Sequence, residues 1–216
     1  MKINQRSILI FSMSMLIGIV VAYFFVDRPL CEWVYYHQIP SHIVFLQSIV
    51  EWPPVVTALS PLLLLISPLI RPGKARDTLI LVCLTVLFCF VLKNELKWVF
   101  SRYWPLTWIH NNPSWIGNHA YGFQWFKGAV FAGSDITGSF PSGHTAIAFA
   151  TLVPIGLMYR RALILCITLA CLEGLAMITF DYHFLSDVLA GAWLGVICSI
   201  ILKKIESQAH CRSTVS

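Results

Sequence analysis

Six apolar runs divide this chain of 216 residues and constrain its fold more than any other feature of the sequence. The runs cover residues 8–26, 55–70, 78–92, 145–159, 162–180 and 188–202. Only 12% of the residues are charged, against about 25% in a typical soluble domain, and the mean hydropathy is +0.74. A helix of about 20 apolar residues crosses the hydrocarbon core of a bilayer. We therefore predict an all-α membrane protein with six transmembrane helices.

The basic residues indicate how these helices are oriented. With the N-terminus inside, five of the 15 lysines and arginines fall in outer segments, and the other ten fall in inner segments. The outer ones are Arg28, Lys93, Lys97, Arg102 and Lys127. Cytoplasmic loops carry an excess of lysine and arginine. We therefore expect both termini in the cytoplasm, and we interpret the net charge of +5 as a topology signal that needs no nucleic-acid partner.

The outer segment between the third and fourth runs, residues 93–140, is long for a connection between helices. It is rich in aromatic side chains, namely Trp98, Trp104, Trp108, Trp115, Trp125, Tyr103, Phe123 and Phe126. One interpretation is a cover over a lipid headgroup site. The other is an anchor in the membrane interface that never contacts a substrate. The composition favours neither.

Two short groups of reactive residues stand at the ends of apolar runs. Residues 141–144 (Pro-Ser-Gly-His) precede the fourth run, and His183 precedes the sixth, with Asp187 four residues further on. A Ser-Gly turn at a helix start offers backbone N–H groups to an anion. Two histidines can supply a nucleophile and a general acid, and a carboxylate at i+4 can orient one of them. With Lys97 and Arg102, all these residues fall on the predicted outer side, which favours phosphoryl-transfer chemistry at a membrane surface.

These groups resemble the motifs of the type 2 phosphatidic acid phosphatase superfamily, which includes lipid phosphate phosphatases, glucose-6-phosphatase and the vanadium haloperoxidases. The family motifs are Lys-x6-Arg-Pro, Pro-Ser-Gly-His and Ser-Arg-x5-His-x3-Asp. The second is complete at residues 141–144, and the His-x3-Asp half of the third is complete at 183–187. The resemblance covers residues 93–202, about half the chain, within what we expect to be one domain over residues 1–216.

The two arginines with which this family holds phosphate are altered here. Lys97 and Pro105 keep the spacing of the first motif, but Trp104 stands in the arginine's place and Arg102 lies two residues earlier. In the third motif the arginine's place is taken by Met177. A phosphate group is bound largely by charge-assisted hydrogen bonds, so other cations would have to compensate. The candidates are Lys93, Lys127, His110 and His119.

The resemblance implies a mechanism without a metal or another cofactor. His183 attacks phosphorus and forms a phosphohistidine, while Asp187 holds its imidazole in the correct tautomer. His144 protonates the leaving oxygen and then activates the hydrolytic water. The remaining site residues stabilise the phosphoryl oxygens. This phosphate-binding set is Lys97, Arg102, Ser142 and Gly143.

Bacterial members of this size act on undecaprenyl pyrophosphate, phosphatidylglycerophosphate, phosphatidate or the phosphates of lipid A. We therefore expect a phosphatase of the bacterial inner membrane, surrounded by membrane lipids, that hydrolyses a lipid phosphate or pyrophosphate at the outer face. Three alternatives stay open. They are phosphoryl transfer to another lipid, an impaired homologue that binds or carries lipid, and a metal site formed by His144, His183 and Asp187.

Two further acids are unusual for their position. Glu173 lies within the fifth apolar run, where an ionisable group is costly. It could be hydrogen-bonded between helices or could partner a displaced cation, and we favour the first. We expect Asp181, two residues before His183, to cap the sixth helix or to meet a cation of the long loop.

Overall fold

Helices make up most of the residues that the computed structural model describes, which are 4–39, 50–107, 112–127 and 137–213. The α-helices are α1 (Gln5–Val21), α2 (Asp27–Tyr36), α3 (Trp52–Ile66), α4 (Lys74–Phe100), α5 (Trp115–Asn118), α6 (Gly143–Met158), α7 (Leu163–Thr179) and α8 (Leu185–Ser213). The described residues contain no strand, only the isolated bridges Arg102–Phe123 and Trp104–Ser114. The predicted all-α class is confirmed.

Five helical stretches are long and apolar enough to cross a membrane. They are Gln5–Tyr36, Trp52–Leu69, Lys74–Phe100, Arg160–Thr179 and Leu185–Ala209. The sixth predicted span corresponds to α6, a shorter apolar helix of 16 residues. At 1.5 Å per residue its length is about 24 Å. The fold is therefore that of a multi-pass membrane protein, while the total of six spans and the side of each terminus stay predictions.

The first helical stretch continues beyond its predicted end. The first apolar run, residues 8–26, predicted that the span ends before Asp27. Instead, α1 continues through a π-helical segment, Ala22–Val26, directly into α2. One face of α2, formed by Asp27, Cys31 and Val34, is buried. The charged residues of α2 concealed this continuation, because hydropathy cannot tell a charge paired inside the bundle from one in water.

Helix α6 occupies the centre of the bundle and packs against α4, α7 and α8. Two glycines of α8 allow the closest of these approaches. A Cβ atom on Gly191 would lie 2.5 Å from the carbonyl oxygen of Ser142, and one on Gly195 would lie 2.5 Å from that of Ala146. Small residues four apart let helix backbones approach closely in membranes. This contact places the beginnings of α6 and α8, which carry the two motifs, side by side.

The long loop after α4 returns to the same end of the bundle. Inside it, Tyr121 and Phe123 stack on Tyr23 of the π-helical segment, with ring centroids 5.0 and 5.2 Å apart. In contrast, Trp125 and Phe126 leave 52% and 59% of their surface exposed. The aromatic residues thus form an inner group on Tyr23 and an exposed pair whose rings lie 5.3 and 5.1 Å from those of Phe100 and Trp98 at the end of α4. Trp108 lies outside the described residues.

Candidate active site

The two predicted motifs meet where α6 and α8 begin. The backbone N–H of Ser142 donates to the carbonyl oxygen of Asp187 at 3.0 Å. His183 lies in the turn before α8 and is 4% exposed, and its own N–H donates to the carbonyl oxygen of Met177 at 3.1 Å. Backbone hydrogen bonds therefore fix the position of each motif.

The imidazole of His183 faces a carboxylate and a hydroxyl group. Its Nδ1 lies 3.7 Å from Oδ2 of Asp187 and 3.3 Å from Oγ of Ser139. The same Oδ2 accepts hydrogen bonds from Ser139 Oγ at 2.5 Å and from the N–H of Phe184 at 3.0 Å. These contacts fix Asp187 and hold Nδ1 on the carboxylate side. Nε2, on the opposite edge of the ring, is then the nitrogen that can act as a nucleophile.

The surroundings of His183 favour its uncharged form. Burial lowers the pKa of this imidazole below its ordinary value, and the charge of Lys97 lowers it further, while the hydrogen bond and charge of Asp187 act in the opposite direction. An imidazole attacks an electrophile only when it is unprotonated. The lowered pKa therefore favours the uncharged form of His183 at neutral pH.

His144 and Ser142 belong to the first turn of α6. Ser142 is the N-cap residue: its Oγ accepts a hydrogen bond from the N–H of Thr145 at 3.4 Å and lies 2.9 Å from Thr145 Oγ1. Ser142 therefore caps the start of α6. His144 is partly buried, and it lies close enough to His183, Lys97 and Lys93 for their charges to act on its imidazole. The two histidines and the N–H groups at the start of α6 thus occupy one small region.

Two lysines of α4, one helical turn apart, border this region. The ammonium group of Lys97 donates to the carbonyl oxygen of Gly138 and lies 5.1 Å from the centre of the Trp104 ring. The Trp104 ring in turn lies 5.2 Å from that of His183. The side chain of Lys93 passes Gly143, with Cδ and Nζ 3.4 and 3.6 Å from where a Cβ atom would stand.

Two other candidate replacements for the lost arginines, Lys127 and His119, lie elsewhere. Lys127 is exposed, and its ammonium group donates to Gln124 at 3.4 Å. His119 is an exposed residue at the end of α5, and His110 lies outside the described residues. Of the three candidates that the structure describes, Lys93 is the one that lies beside the motifs.

Arg102 is fully buried, with 0% of its surface exposed. One terminal nitrogen, Nη1, donates to Oδ1 of Asp187 and to Oγ of Ser186 at 2.6 Å, and the other, Nη2, donates to Oδ2 of Asp27 at 2.7 Å. Burial acts to lower the pKa of this guanidinium, but the charges of Asp187 and Asp27 raise it above its ordinary value. The predicted phosphate contact stays untested, and this placement favours another role, which is to hold Asp187.

The place of the second family arginine is apolar. Met177 has 0% exposure and packs with Val50, Ala176, Phe180 and Val188. Neighbouring Glu173 accepts a hydrogen bond from the indole N–H of Trp52 at 3.1 Å, which joins α7 to α3. The hydrogen bond between helices that we expected for Glu173 is therefore present.

Asp181 is placed differently from either expectation. Its buried carboxylate lies against the thiol of Cys31 in α2, and burial raises its pKa to about 7. No hydrogen bond to the start of α8 is present among the described residues, because Asp187 takes the N–H of Phe184 there. Asp181 is placed in this way because its backbone is left-handed, with φ of +54°, and ends α7 in a tight turn.

Three residues of this region were not singled out from the sequence. Ser139 and Ser186 carry no spacing signal of their own, although Ser139 stands two residues before the Pro-Ser-Gly-His motif and Ser186 directly before Asp187. Asp27 did carry a signal, since an acid at the end of an apolar run is costly unless it is paired. Its partner lies 75 residues away in the chain, which sequence spacing cannot reveal.

The donor atoms are arranged for acid–base and nucleophilic chemistry. Within the described ranges, no group of three or more His, Cys, Asp or Glu side chains is placed to hold a metal ion. Both oxygens of Asp187 already accept hydrogen bonds from protein donors. The alternative of a metal site at His144, His183 and Asp187 therefore gains no support from the geometry.

Comparisons with known proteins give one consistent family. The family model described as the PAP2 superfamily matches residues 78–210, more than half of the chain. A lipid A 1-phosphatase of Rhizobium johnstonii is 28% identical over 124 residues, which are 56% of this chain and 46% of that protein. A lipid A 1-phosphatase of Rhizobium etli is 27% identical over 121 residues, 54% and 47% of the two chains. The matches thus span about half the length of these relatives.

A solved structure also resembles the chain. It is described as the first transmembrane PAP2 type phosphatidylglycerolphosphate phosphatase from Bacillus subtilis. The alignment covers 94% of this chain and 95% of that one, with 19% sequence identity and a TM-score of 0.48.

Proposed function

Because the chain belongs to the PAP2 superfamily, we propose that it is a membrane phosphatase that hydrolyses a lipid phosphate or pyrophosphate through a phosphohistidine at His183. The observation that carries this proposal is the setting of His183. Its Nδ1 faces Asp187 and Ser139, which leaves Nε2 as the nucleophile, and His144 lies nearby. A nucleophile whose orientation is fixed by a third group is the arrangement that covalent catalysis requires.

The reaction divides into two steps. In the first, Nε2 of His183 forms a bond to phosphorus while the bond to the leaving oxygen breaks, and His144 gives that oxygen a proton. In the second, His144 takes a proton from water, whose oxygen attacks the phosphohistidine and releases inorganic phosphate. The carboxylate of Asp187 stabilises the positive charge that the imidazole ring carries between the two steps.

The phosphate is held mainly by lysines in this chain. Lys93 and Lys97 lie on one face of α4, and Lys93 passes the backbone of Gly143, where the N–H groups of the first turn of α6 are available. A phosphate carries close to two negative charges at neutral pH. Two ammonium groups and a helix start can balance this charge although Trp104 and Met177 stand where the family has arginines.

The substrate is a lipid whose headgroup reaches the end of the bundle that carries the motifs. The relatives named as lipid A 1-phosphatases make lipid A the first substrate to assay. Phosphatidylglycerophosphate, phosphatidate and undecaprenyl pyrophosphate offer the same chemistry. The positive-inside bias places this end at the outer face of the bacterial inner membrane.

The test is phosphate release by the purified protein in detergent, with these four lipids as substrates and no added metal. We expect release from at least one lipid, and we expect His183→Ala to abolish it. His37→Ala is the matched control, because His37 is an exposed histidine at the end of α2 that bonds only the carbonyl oxygen of Trp33 among the described residues. Equal activity of the wild type and His183→Ala would contradict the proposal.

The product distinguishes the alternatives that share the phosphohistidine step. Release of inorganic phosphate identifies hydrolysis, whereas a labelled phosphate that appears on a second lipid identifies transfer. A protein that binds the lipids but forms neither product would be an impaired homologue.

A further inference from the structure

A second buried carboxylate, that of Asp27 in α2, holds the same arginine that holds Asp187. Oδ2 of Asp27 accepts from Arg102 Nη2 at 2.7 Å, from the hydroxyl of Ser186 and from the hydroxyl of Tyr121 at 3.3 Å. Oδ1 accepts from the backbone N–H of Ser186 at 2.9 Å. Asp27 therefore binds both Arg102 and Ser186, the residue directly before Asp187.

An aromatic cage keeps Arg102 between its two carboxylates. The guanidinium carbon lies 4.4 Å from the ring centre of Phe184, 5.0 Å from that of Tyr23, 5.1 Å from that of Tyr121 and 5.4 Å from that of Phe123. These rings come from three separate parts of the chain. A desolvated cation over aromatic rings is held strongly, so the guanidinium group has one position.

We propose that Asp27 is a positioning residue of the catalytic site, which acts through Arg102 and Ser186 to fix Asp187 and, through it, the imidazole of His183. This inference rests on the proposed function. The family match begins at residue 78, so the contribution of the first helical stretch is not part of the motif pattern. In this chain the site is incomplete without α2.

The charges explain why two carboxylates share one guanidinium. Arg102 carries one positive charge against two negative ones, so the group of three has a net charge of −1. Without Asp27, the full charge of Arg102 would act on Asp187 and cancel its effect on His183. With Asp27 present, Asp187 stays able to stabilise the positive charge that the ring gains when Nε2 bonds to phosphorus.

The groups around His183 come from each element that packs on it. Asp187 belongs to α8, Lys97 to α4, His144 to α6 and Ser139 to the loop before α6. Asp27 has no contact with His183 among the hydrogen bonds and ion pairs of the described residues, so its positioning effect on His183 passes through Arg102 and Asp187, while its charge also acts on the imidazole at a distance.

The test compares the wild type with Asp27→Asn, which removes the charge and leaves one acceptor oxygen for the four donors. We expect kcat to fall roughly tenfold, the scale seen when second-layer partners of metal-binding histidines are removed, with little change in KM. Loss of a negative charge disfavours protonated His183. The acid limb of kcat/KM should therefore move to lower pH. The shift should be roughly half a pH unit if Asp27 and His183 interact through a high effective dielectric constant.

A second measurement does not depend on turnover. Exchange of the C2 hydrogen of His183 with deuterium, followed by mass spectrometry over a range of pH, gives the pKa of this imidazole in both proteins. A lower pKa in Asp27→Asn supports the role of Asp27 even if no lipid is hydrolysed, in which case the proposed function alone fails. An unchanged pKa overturns the role of Asp27, whether or not kcat falls, because a purely structural residue would lower activity without moving the titration.

Glu32→Gln is the matched control. Glu32 also lies in α2, but its carboxylate accepts a hydrogen bond from the indole N–H of Trp115 and not from Arg102. We expect it to leave both the pKa of His183 and kcat unchanged. If Asp27→Asn does not fold, Asp27→Glu supplies the test, because its longer side chain keeps the charge but displaces the carboxylate. A lower kcat at unchanged KM would then support the proposal, and wild-type kcat would overturn it.

Discussion

Asp187 connects His183, the proposed nucleophile, to the rest of the protein at the scale of single residues. Its two oxygens contact different groups: Oδ2 faces His183 and Ser139, whereas Oδ1 accepts a hydrogen bond from the buried Arg102. A hydrogen-bonded carboxylate that is fixed on both sides selects one tautomer of the imidazole. The chemistry of His183 is therefore set by neighbours as much as by the residue itself.

The acid limb of the pH profile should report this environment. Burial lowers the pKa of His183, and in the proposed mechanism the unprotonated ring is the active form. Activity is therefore present above the pKa of His183 and lost as the pH falls through it, at a value below the roughly 6.5 of an ordinary histidine. The measurement is kcat/KM against pH, with the ionisation of the lipid phosphate determined separately. An enzyme limb at or above pH 6.5 would contradict this expectation.

Removal of Lys93 should weaken the hold on phosphate. A charge-assisted hydrogen bond contributes about 1.5–3 kcal/mol, so Lys93→Met should lower kcat/KM roughly ten- to a hundredfold. Lys127→Met is the matched control, since Lys127 is exposed and contacts Gln124, and it should behave as the wild type. Steady-state phosphate release measures both, and equal values for the two variants would exclude Lys93 from the phosphate site.

The contact between α6 and α8 sets the geometry at the scale of secondary-structure elements. Each helix brings one motif, and their register is fixed where the N–H of Ser142 meets the carbonyl oxygen of Asp187. Gly191 and Gly195 make that approach possible because they leave no Cβ atom between the two backbones. The distance between the two motif histidines therefore depends on glycines that take no part in the chemistry.

Gly191→Ala should move these helices apart. Its Cβ atom would lie 2.5 Å from the carbonyl oxygen of Ser142, which is backbone and cannot swing away. Overpacking of this kind costs about 1–3 kcal/mol, so we expect a lower Tm in detergent together with a lower kcat. Gly18→Ala is the control, because its Cβ atom would make an ordinary contact of 3.7 Å with Leu189. Similar Tm and kcat values for the two variants would refute the importance of this contact.

The elements of this fold were predictable to different degrees, for physical reasons. A bilayer demands long apolar helices, so the spans were evident in the sequence, and fixed spacing in the first turn of a helix made the roles of Ser142 and Asp187 recognisable. The continuation of the first helical stretch into α2 was not evident in the sequence. A charged residue after an apolar run resembles a loop residue, and only the structure shows that Asp27 is paired with Arg102. Arg102 was predicted to bind phosphate, but its sequence distance from Lys97 could not distinguish a phosphate contact from the contact with Asp187 that the structure has.

At the scale of the whole molecule, the end that carries the two motifs lies opposite the short turn Arg160–Ala162 between α6 and α7. Helix α6 begins at the motifs and ends at this turn, so the two ends of α6 mark opposite ends of the bundle. The bias of basic residues favours the proposed orientation, with the motif end outside and the turn inside. A lipid headgroup of the outer leaflet would then reach His183 without crossing the membrane.

Cysteine labelling in intact bacterial cells tests this orientation. In a Cys211→Ser background, His119→Cys introduces an exposed thiol in the loop of the motif end, and Arg161→Cys introduces one in the opposite turn. A membrane-impermeant maleimide should label the first in intact cells and the second only after the cells are opened. The reverse pattern would invert the proposed topology.

Capture of the covalent intermediate tests the central proposal most directly. The purified protein is mixed with the radiolabelled lipid phosphate that it hydrolyses fastest, quenched in alkali, in which phosphohistidine survives, and digested for mass spectrometry. We predict phosphate on His183 in the wild type and none in His183→Ala. Phosphate on any other residue of the wild-type protein, or its persistence in His183→Ala, would contradict the proposed mechanism.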